Sequence, residues 1–167
     1  MLLLEKFTAA DFETFKSWTN TEEELVQFAG TLFTYPLTDQ QLFSYLKMTN
    51  KKPLKVIFSE THETIGHCEL NFENKQTPRL SRILIGNKKF RGRKLGEAIV
   101  LKMLDLVFEN KEVTTVDLKV FDWNKGAIKC YENVGFSIQV EKTEKLKVGE
   151  KTWLRFTMGF DRSNLSN

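Results

Sequence analysis

Apolar and polar positions recur along this chain with two different periods, and the switches between them mark out its elements. Leu2 to Phe7 reads as an opening strand. Thr8-Ala9-Ala10-Asp11 comes next as a helix start with Thr8 as N-cap, and Phe12, Phe15 and Trp18 then recur at helical spacing. Thr21-Glu22-Glu23-Glu24 opens a second helix that leads to Leu25 and Phe28, and Thr31 to Pro36 is a loop rich in aromatics. Thr38-Asp39-Gln40-Gln41 opens a third helix with Leu42, Tyr45 and Leu46 on one face, and its Thr-x-x-Gln spacing fits a capping box. Lys55 to Ser59 and Thr64 to Phe72 are the arms of a hairpin turning at Glu60-Thr61-His62-Glu63, and Arg79 to Ile85 is a further strand. The clearest helical stripe lies between Gly96 and Glu109, where Ile99, Val100, Met103, Leu104, Val107 and Phe108 share a face. Val113 to Val120 is a strand and Asn124 to Asn133 a helix. Phe136 to Val140 and Lys151 to Phe160 are strands with a turn at Val148-Gly149-Glu150. This order predicts a mixed α/β fold: a largely antiparallel sheet flanked by helices, with one central βαβ crossover.

Composition adds only limits. At 167 residues a single domain over 1–167 is expected, long enough to bury a core. The net charge of +3 is too mild to imply a nucleic-acid partner. Cys68 and Cys130 are too few for a disulfide framework and lack metal-ligand spacing, and His62 and His67 do not complete a metal site. The apolar opening Met1-Leu2-Leu3-Leu4 stops at Glu5 and Lys6, well short of a signal segment or a membrane span. The expectation is a cytoplasmic protein with no membrane, metal or nucleic-acid partner; a homodimer is left open.

Two segments carry candidate chemistry. The first, Phe90-Arg91-Gly92-Arg93-Lys94-Leu95-Gly96, links a strand to the start of a helix. A helix N-terminus offers unpaired N–H groups and partial positive charge, which suit a phosphate or pyrophosphate. Gly92 and Gly96 permit close backbone approach, and Lys88, Lys89, Arg91, Arg93 and Lys94 add charge. The Gly-Lys-Ser/Thr of a P-loop and the G-x-G-x-x-G of a dinucleotide fold are both missing. The plain alternative is a solvated basic turn. In the second segment, Asn124, Ala127 or Ile128, and Tyr131 fall on one helix face before Gly135-Phe136.

Together these segments resemble the GNAT superfamily of acyl-CoA-dependent N-acyltransferases. The loop Arg/Gln-x-x-Gly-x-Gly/Ala is matched by Arg91 and Gly96, with Lys94 where the family usually has its middle glycine. The pattern Asn-x-x-Ala-x-x-x-Tyr-Glu-x-x-Gly-Phe is matched by Asn124, Ala127, Tyr131, Glu132, Gly135 and Phe136. The element order agrees over nearly the whole chain, and the layout is closest to the group of ribosomal-protein N-terminal and small-amine acetyltransferases. The resemblance implies the GNAT fold and acetyl-CoA as cosubstrate. It also implies that the strand ending at Leu84 and Ile85 splays from its neighbour and binds the pantetheine arm through its backbone. Arg91, Gly92, Arg93, Lys94, Leu95 and Gly96 would wrap the pyrophosphate, Asn124 would hydrogen-bond the carrier arm, and Tyr131 would protonate the departing thiolate. At Lys94 two outcomes are open: a Cβ that crowds the site or resists a left-handed backbone, or ordinary helical angles with an added charge.

The base is read from strand alternation. His67, Glu69 and Asn71 share one face and Gly66, Cys68, Leu70 and Phe72 the other. Glu69 or His67 is then the candidate to take the amine proton, the alternative being a solvent-facing polar edge. Cys130 beside Tyr131 reads as a small core residue with no activating base. Trp18, Phe28, Phe33 and Tyr35, with Glu22, Glu23 and Glu24, are candidates for an acceptor pocket or, equally, for core and helix-start positions. The expectation is acetyl transfer from acetyl-CoA to a primary amine by direct attack in a ternary complex. The acceptor is a small molecule or a peptide N-terminus, and no residue pattern favours an aminoglycoside. A non-catalytic acyl-CoA-binding sensor or an interaction protein is the alternative.

Overall fold

A computed structural model describes residues 1–166. The strands are β1 (Leu2–Lys6), β2 (Lys51–Phe58), β3 (Glu63–Asn71), β4 (Arg79–Ile85), β5 (Thr115–Phe121), β6 (Ser137–Val148) and β7 (Lys151–Asp161). The helices are α1 (Phe12–Ser17), α2 (Glu22–Ala29), α3 (Asp39–Leu46), α4 (Leu95–Phe108) and α5 (Lys125–Val134). The strands form a seven-stranded sheet in the order β1-β2-β3-β4-β5-β7-β6. The pairs β1/β2, β5/β7 and β6/β7 are antiparallel, while β4/β5 is parallel and is bridged by α4, as the crossover pattern predicts. The chain groups into two compact units interleaved along it.

The first unit holds residues 1–70 and 81–93. Its aromatic core joins Phe7 to Phe12 and Phe15 of α1, Leu25 and Ala29 of α2, and Leu42 and Tyr45 of α3. Burying these side chains stabilises the unit, since each removes apolar area from water. The helix starts are capped as their sequences require. Glu24 N–H donates to Thr21 Oγ1 at 3.1 Å and Gln41 N–H to Thr38 Oγ1 at 3.3 Å. The capping box at Thr38 is only half formed. Gln41 Oε1 accepts instead from Thr34 N–H at 2.8 Å, and Gln41 Nε2 donates to the carbonyls of Thr34 and Pro36, tying down the preceding loop.

The second unit holds residues 71–80 and the chain from 94 onward. The stripe on α4 is buried at all six positions read from its spacing. Phe136 packs on Phe160, and Phe160 on Phe108. The β4/β5 ladder comprises Arg79↔Asp117 and Leu80↔Leu118. It is stapled by a two-pronged ion pair from Arg79 to Asp117 at 2.7 and 3.0 Å. The sequence pattern underestimates β6, which runs on through the charged stretch from Glu141 to Lys147. Its ladder with β7 breaks at an irregularity between Gln139 and Glu144 and resumes from Glu144 to Val148, and Glu144 pairs with Lys119 and Arg155.

Candidate active site

The loop after β4 turns with left-handed backbone at two positions. Gly92 has φ 74, and nothing lies within 4 Å of where its Cβ would stand. Lys94 has φ 58 and ψ 15, so it takes the strained left-handed conformation and not ordinary helical angles. Lys94 is also the N-cap of α4, yet its side chain accepts no N–H, as a lysine cannot. In α2, α3 and α5 the corresponding residues, Thr21, Thr38 and Asn124, all bond a backbone N–H. The first turn of α4 thus keeps donors that no cap residue claims. Its one acid, Glu97, accepts from Asn133 Nδ2 at 2.8 Å.

The basic side chains here differ in role. Arg91 Nε donates to the Ile85 carbonyl at 2.8 Å, so this arginine braces the end of β4. Arg93 lays its guanidinium 5.7 Å from the Phe58 ring and 5.3 Å from the Phe90 ring, a cation–π arrangement that holds its charge in place. Lys88, Lys89 and Lys94 are exposed. Leu95 is half-buried. Gly96 has a reason beyond ligand approach: a Cβ there would sit 3.1 Å from Cys130 Sγ, so the glycine lets α4 and α5 come together.

The tip of β4 is built by residues the sequence pattern passes over. A Cβ on Gly66 would lie 2.2 Å from the Leu84 carbonyl oxygen, so β3 and β4 meet there only because Gly66 lacks a side chain. A Cβ on Gly86 would collide with the Trp18 ring at 1.9 Å. Glycines inside or just after a strand are a known mark of such close approach, and that is the signal that would have found both. Leu84 and Ile85 lie outside the residue pairs of the β4/β5 ladder.

His67 and Glu69 are not at a solvent-facing edge; both are fully buried. His67 Nδ1 lies 2.9 Å from the Arg82 carbonyl, a contact only an N–H can make, so Nε2 carries the lone pair. Burial pushes the imidazole down to about 4, and it is neutral at physiological pH. Glu69 receives Arg82 Nη1 on Oε1 at 2.7 Å and the Tyr45 hydroxyl on Oε2. Burial, then the Glu69 charge, push the Tyr45 phenol well above its ordinary value, so it remains a donor. Arg82 itself has φ 48. Neither Tyr45 nor Arg82 stands out in the sequence: one sits on an apolar helix face, the other inside a strand.

Asn124 caps α5 through Oδ1, which accepts from Ala127 N–H at 3.3 Å. Tyr131 is buried on α5, with its ring 6.3 Å from Phe136. Its hydroxyl bonds no group among the described residues. Burial raises the phenol, so it holds its proton at neutral pH. Gly135, at φ 122, closes the helix by donating to the carbonyls of Tyr131 and Glu132. Cys130 is raised to about 11, first by burial and then by Glu97, so it is a thiol and not a nucleophilic thiolate. Of the aromatics read as pocket candidates, Phe33 belongs to the core, while Tyr35 is exposed and donates to the Asn20 carbonyl at 2.7 Å. Among the described residues no cluster of His, Cys, Asp and Glu could hold a metal, and no helix is long and apolar enough to cross a membrane.

Aminoglycoside N(6')-acetyltransferases type 1 of Klebsiella pneumoniae and Serratia marcescens are each 28% identical to the chain over 105 residues. That covers 62% of the chain and 51% of each relative, so the chain spans about half the length of the curated relatives it matches. The fold is that of spermidine N-acetyltransferase from Vibrio cholerae, solved with CoA and spermine. The TM-score is 0.82 at 17% identity, over 99% of this chain and 98% of that one. Aminoglycoside acetyltransferase AAC(6')-Ib, solved with coenzyme A and kanamycin, aligns with a TM-score of 0.75 at 20% identity, over 99% and 98% of the two chains. The acetyltransferase (GNAT) domain model matches residues 1–137, from the opening strand through Tyr131 and Gly135-Phe136, and the chain therefore belongs to the GNAT acetyltransferase family.

Proposed function

We propose that the protein is an N-acetyltransferase that moves acetyl from acetyl-CoA to the primary amine of a small molecule. The observation that carries this reading is the start of α4: a loop left-handed at Gly92 and Lys94 that runs into a helix whose first N–H groups no cap residue claims. Oriented backbone N–H groups of this kind suit a pyrophosphate. The family supports CoA as its source, and the relatives' names support an amine acceptor.

Acetyl-CoA, when bound, supplies the acetyl group as a thioester. Leu84 and Ile85 offer backbone to the pantetheine arm, and Asn124 offers its amide. Gly92, Arg93, Lys94, Leu95 and Gly96 hold the pyrophosphate by main-chain N–H groups, with Arg91 fixing the strand end that leads to them. Tyr131 is the acid. The bond from the amine nitrogen to the acyl carbon forms, the carbon–sulfur bond breaks, and the sulfur takes the Tyr131 proton. The proton lost by the amine returns to the phenolate through solvent. A buried phenol is a weak acid, but the desolvation that raises it also disfavours a departing thiolate, which increases the thiolate's demand for a proton. His67 spends its N–H on Arg82, and the charge of Glu69 is neutralised by the same residue. Glu69 therefore takes a positioning role in place of that of a base.

Tyr131→Phe tests the chemistry. Turnover, read as thiol release against a panel of polyamines, aminoglycosides and short peptides, is expected to fall roughly 10²–10⁴-fold. CoA affinity should stay within about twofold, because the hydroxyl acts on the sulfur only as it leaves. Equal loss of both would remove Tyr131 from the acid role. Turnover of the peptides alone would replace the small-molecule acceptor with a peptide N-terminus.

A further inference from the structure

Arg82 is a left-handed residue in the middle of β4, and it is gripped at both ends. Its carbonyl accepts from His67 Nδ1 at 2.9 Å. Its guanidinium donates from Nη1 to Glu69 at 2.7 Å. Glu69 in turn accepts from Tyr45, whose hydroxyl is 3.5 Å from His67 Nε2. The Tyr45 ring also lies 6.0 Å from Arg82 Cζ. The four residues close a ring. His67 and Glu69, two apart on β3, reach the same residue of β4 from one strand face.

All of His67, Glu69 and Tyr45 are fully buried, and the Arg82 side chain is 12% exposed. Burying an ion pair is a poor way to gain stability compared with apolar packing of the same volume. Holding a bulky L-residue at φ 48 is a further cost. A strained residue that its surroundings over-determine points to a function for the strain. The residues after Arg82 are held just as closely: Leu84 against Gly66, the Ile85 carbonyl by Arg91, and Gly86 against Trp18.

We infer that the His67–Arg82–Glu69–Tyr45 ring is a positioning device that locks the left-handed turn at Arg82 and so sets the backbone of Ile83, Leu84 and Ile85 for the acyl carrier. Glu69 acts through Arg82 and not on the amine. This role rests on the proposed CoA-binding function of the strand.

A double variant separates positioning from plain stability. In Glu69→Leu, Arg82→Gly both buried charges are gone, and glycine accepts the left-handed angles without strain. The variant is expected to remain folded while CoA affinity, read by calorimetry, falls at least about tenfold. Amide exchange at Ile83, Leu84 and Ile85 should quicken relative to β1 and β2. Wild-type affinity and wild-type exchange in the folded double variant would overturn the inference. Should that variant not fold, Tyr45→Phe removes only one hydroxyl from the ring. CoA affinity is then expected to fall about threefold or more, and an unchanged affinity would overturn the idea. For Glu69→Gln, a pH–rate profile of unchanged shape with weakened CoA binding supports positioning. Loss of the acid limb with full CoA binding would make Glu69 the base instead. Failure of the wild type to bind CoA at all would sink the functional reading, while faster exchange at 83–85 would still identify the ring as the device that holds the strand.

Discussion

The end of β4 and the loop after it are consecutive in the chain and built on opposite principles. From Arg82 to Gly86 every residue but Ile83 has a specific restraint: a ring of hydrogen bonds, a carbonyl pressed against Gly66, an arginine brace, an indole face. From Gly92 to Lys94 the backbone is left-handed at two positions but stands open, with no atom near the Gly92 Cβ direction and no side-chain cap at Lys94. A strand that must present backbone groups to one extended molecule needs its geometry fixed in advance. A loop that holds a diffuse, multiply charged phosphate group needs donors and charge, and can tolerate exchange of side chains. The difference predicts that substitutions beside the strand damage the fold and the site together, while substitutions in the loop do little to stability.

The largest effect should come from pH. His67 is displaced from 6.5 to about 4, chiefly by burial, and it faces Asp11, Arg82, Tyr45 and Glu69. Its folded value lies below its unfolded one, so the unfolded chain binds the extra proton between these two values. Stability contributed by neutral His67 is fully present above pH 6.5 and is lost as pH falls toward 4, by on the order of 3 kcal/mol. Denaturant unfolding of wild type and His67→Gln across this range should give a difference curve that slopes through the window. A flat difference curve would show that His67 is not buried neutral. Next in size is Gly66→Ala, which should cost roughly 1–3 kcal/mol by overpacking against Leu84 and weaken CoA binding as well. Loss of stability with full CoA affinity would uncouple the strand from the site. The smallest effect is expected for Lys94→Gly. Relief of left-handed strain opposes the extra freedom of the unfolded chain, so stability should move by less than about 1 kcal/mol. CoA affinity should hold or improve, and a large loss would show that the lysine ammonium itself binds phosphate.

How far the sequence revealed this molecule splits along the same divide. The turn into α4 was legible because it is written in local residue types: Arg91, Gly92, Arg93 and Gly96 stand directly before an amphipathic helix. Asn124 was legible as the start of α5 and Tyr131 as a residue within that helix. The strand end was not. Gly66 and Gly86 are marked only by their place inside or just after a strand; what a Cβ would strike, Leu84 and Trp18, lies on other segments and is not written locally. The alternation on β3 put His67 and Glu69 on one face and offered them as a base or, alternatively, as a solvent-facing polar edge. Both faces of that strand are buried, and their partners, Tyr45 and Arg82, come from elements whose own patterns mark them as ordinary. The charged half of β6 escaped for a related reason: its ladder with β7 overrides local propensity.

Calorimetric titration of the wild-type protein with acetyl-CoA tests the central claim most directly. A single site with micromolar affinity, retained in Tyr131→Phe, is the expected result. Absence of binding at millimolar acetyl-CoA would contradict it, and the open loop at the start of α4 would then be a solvated basic turn.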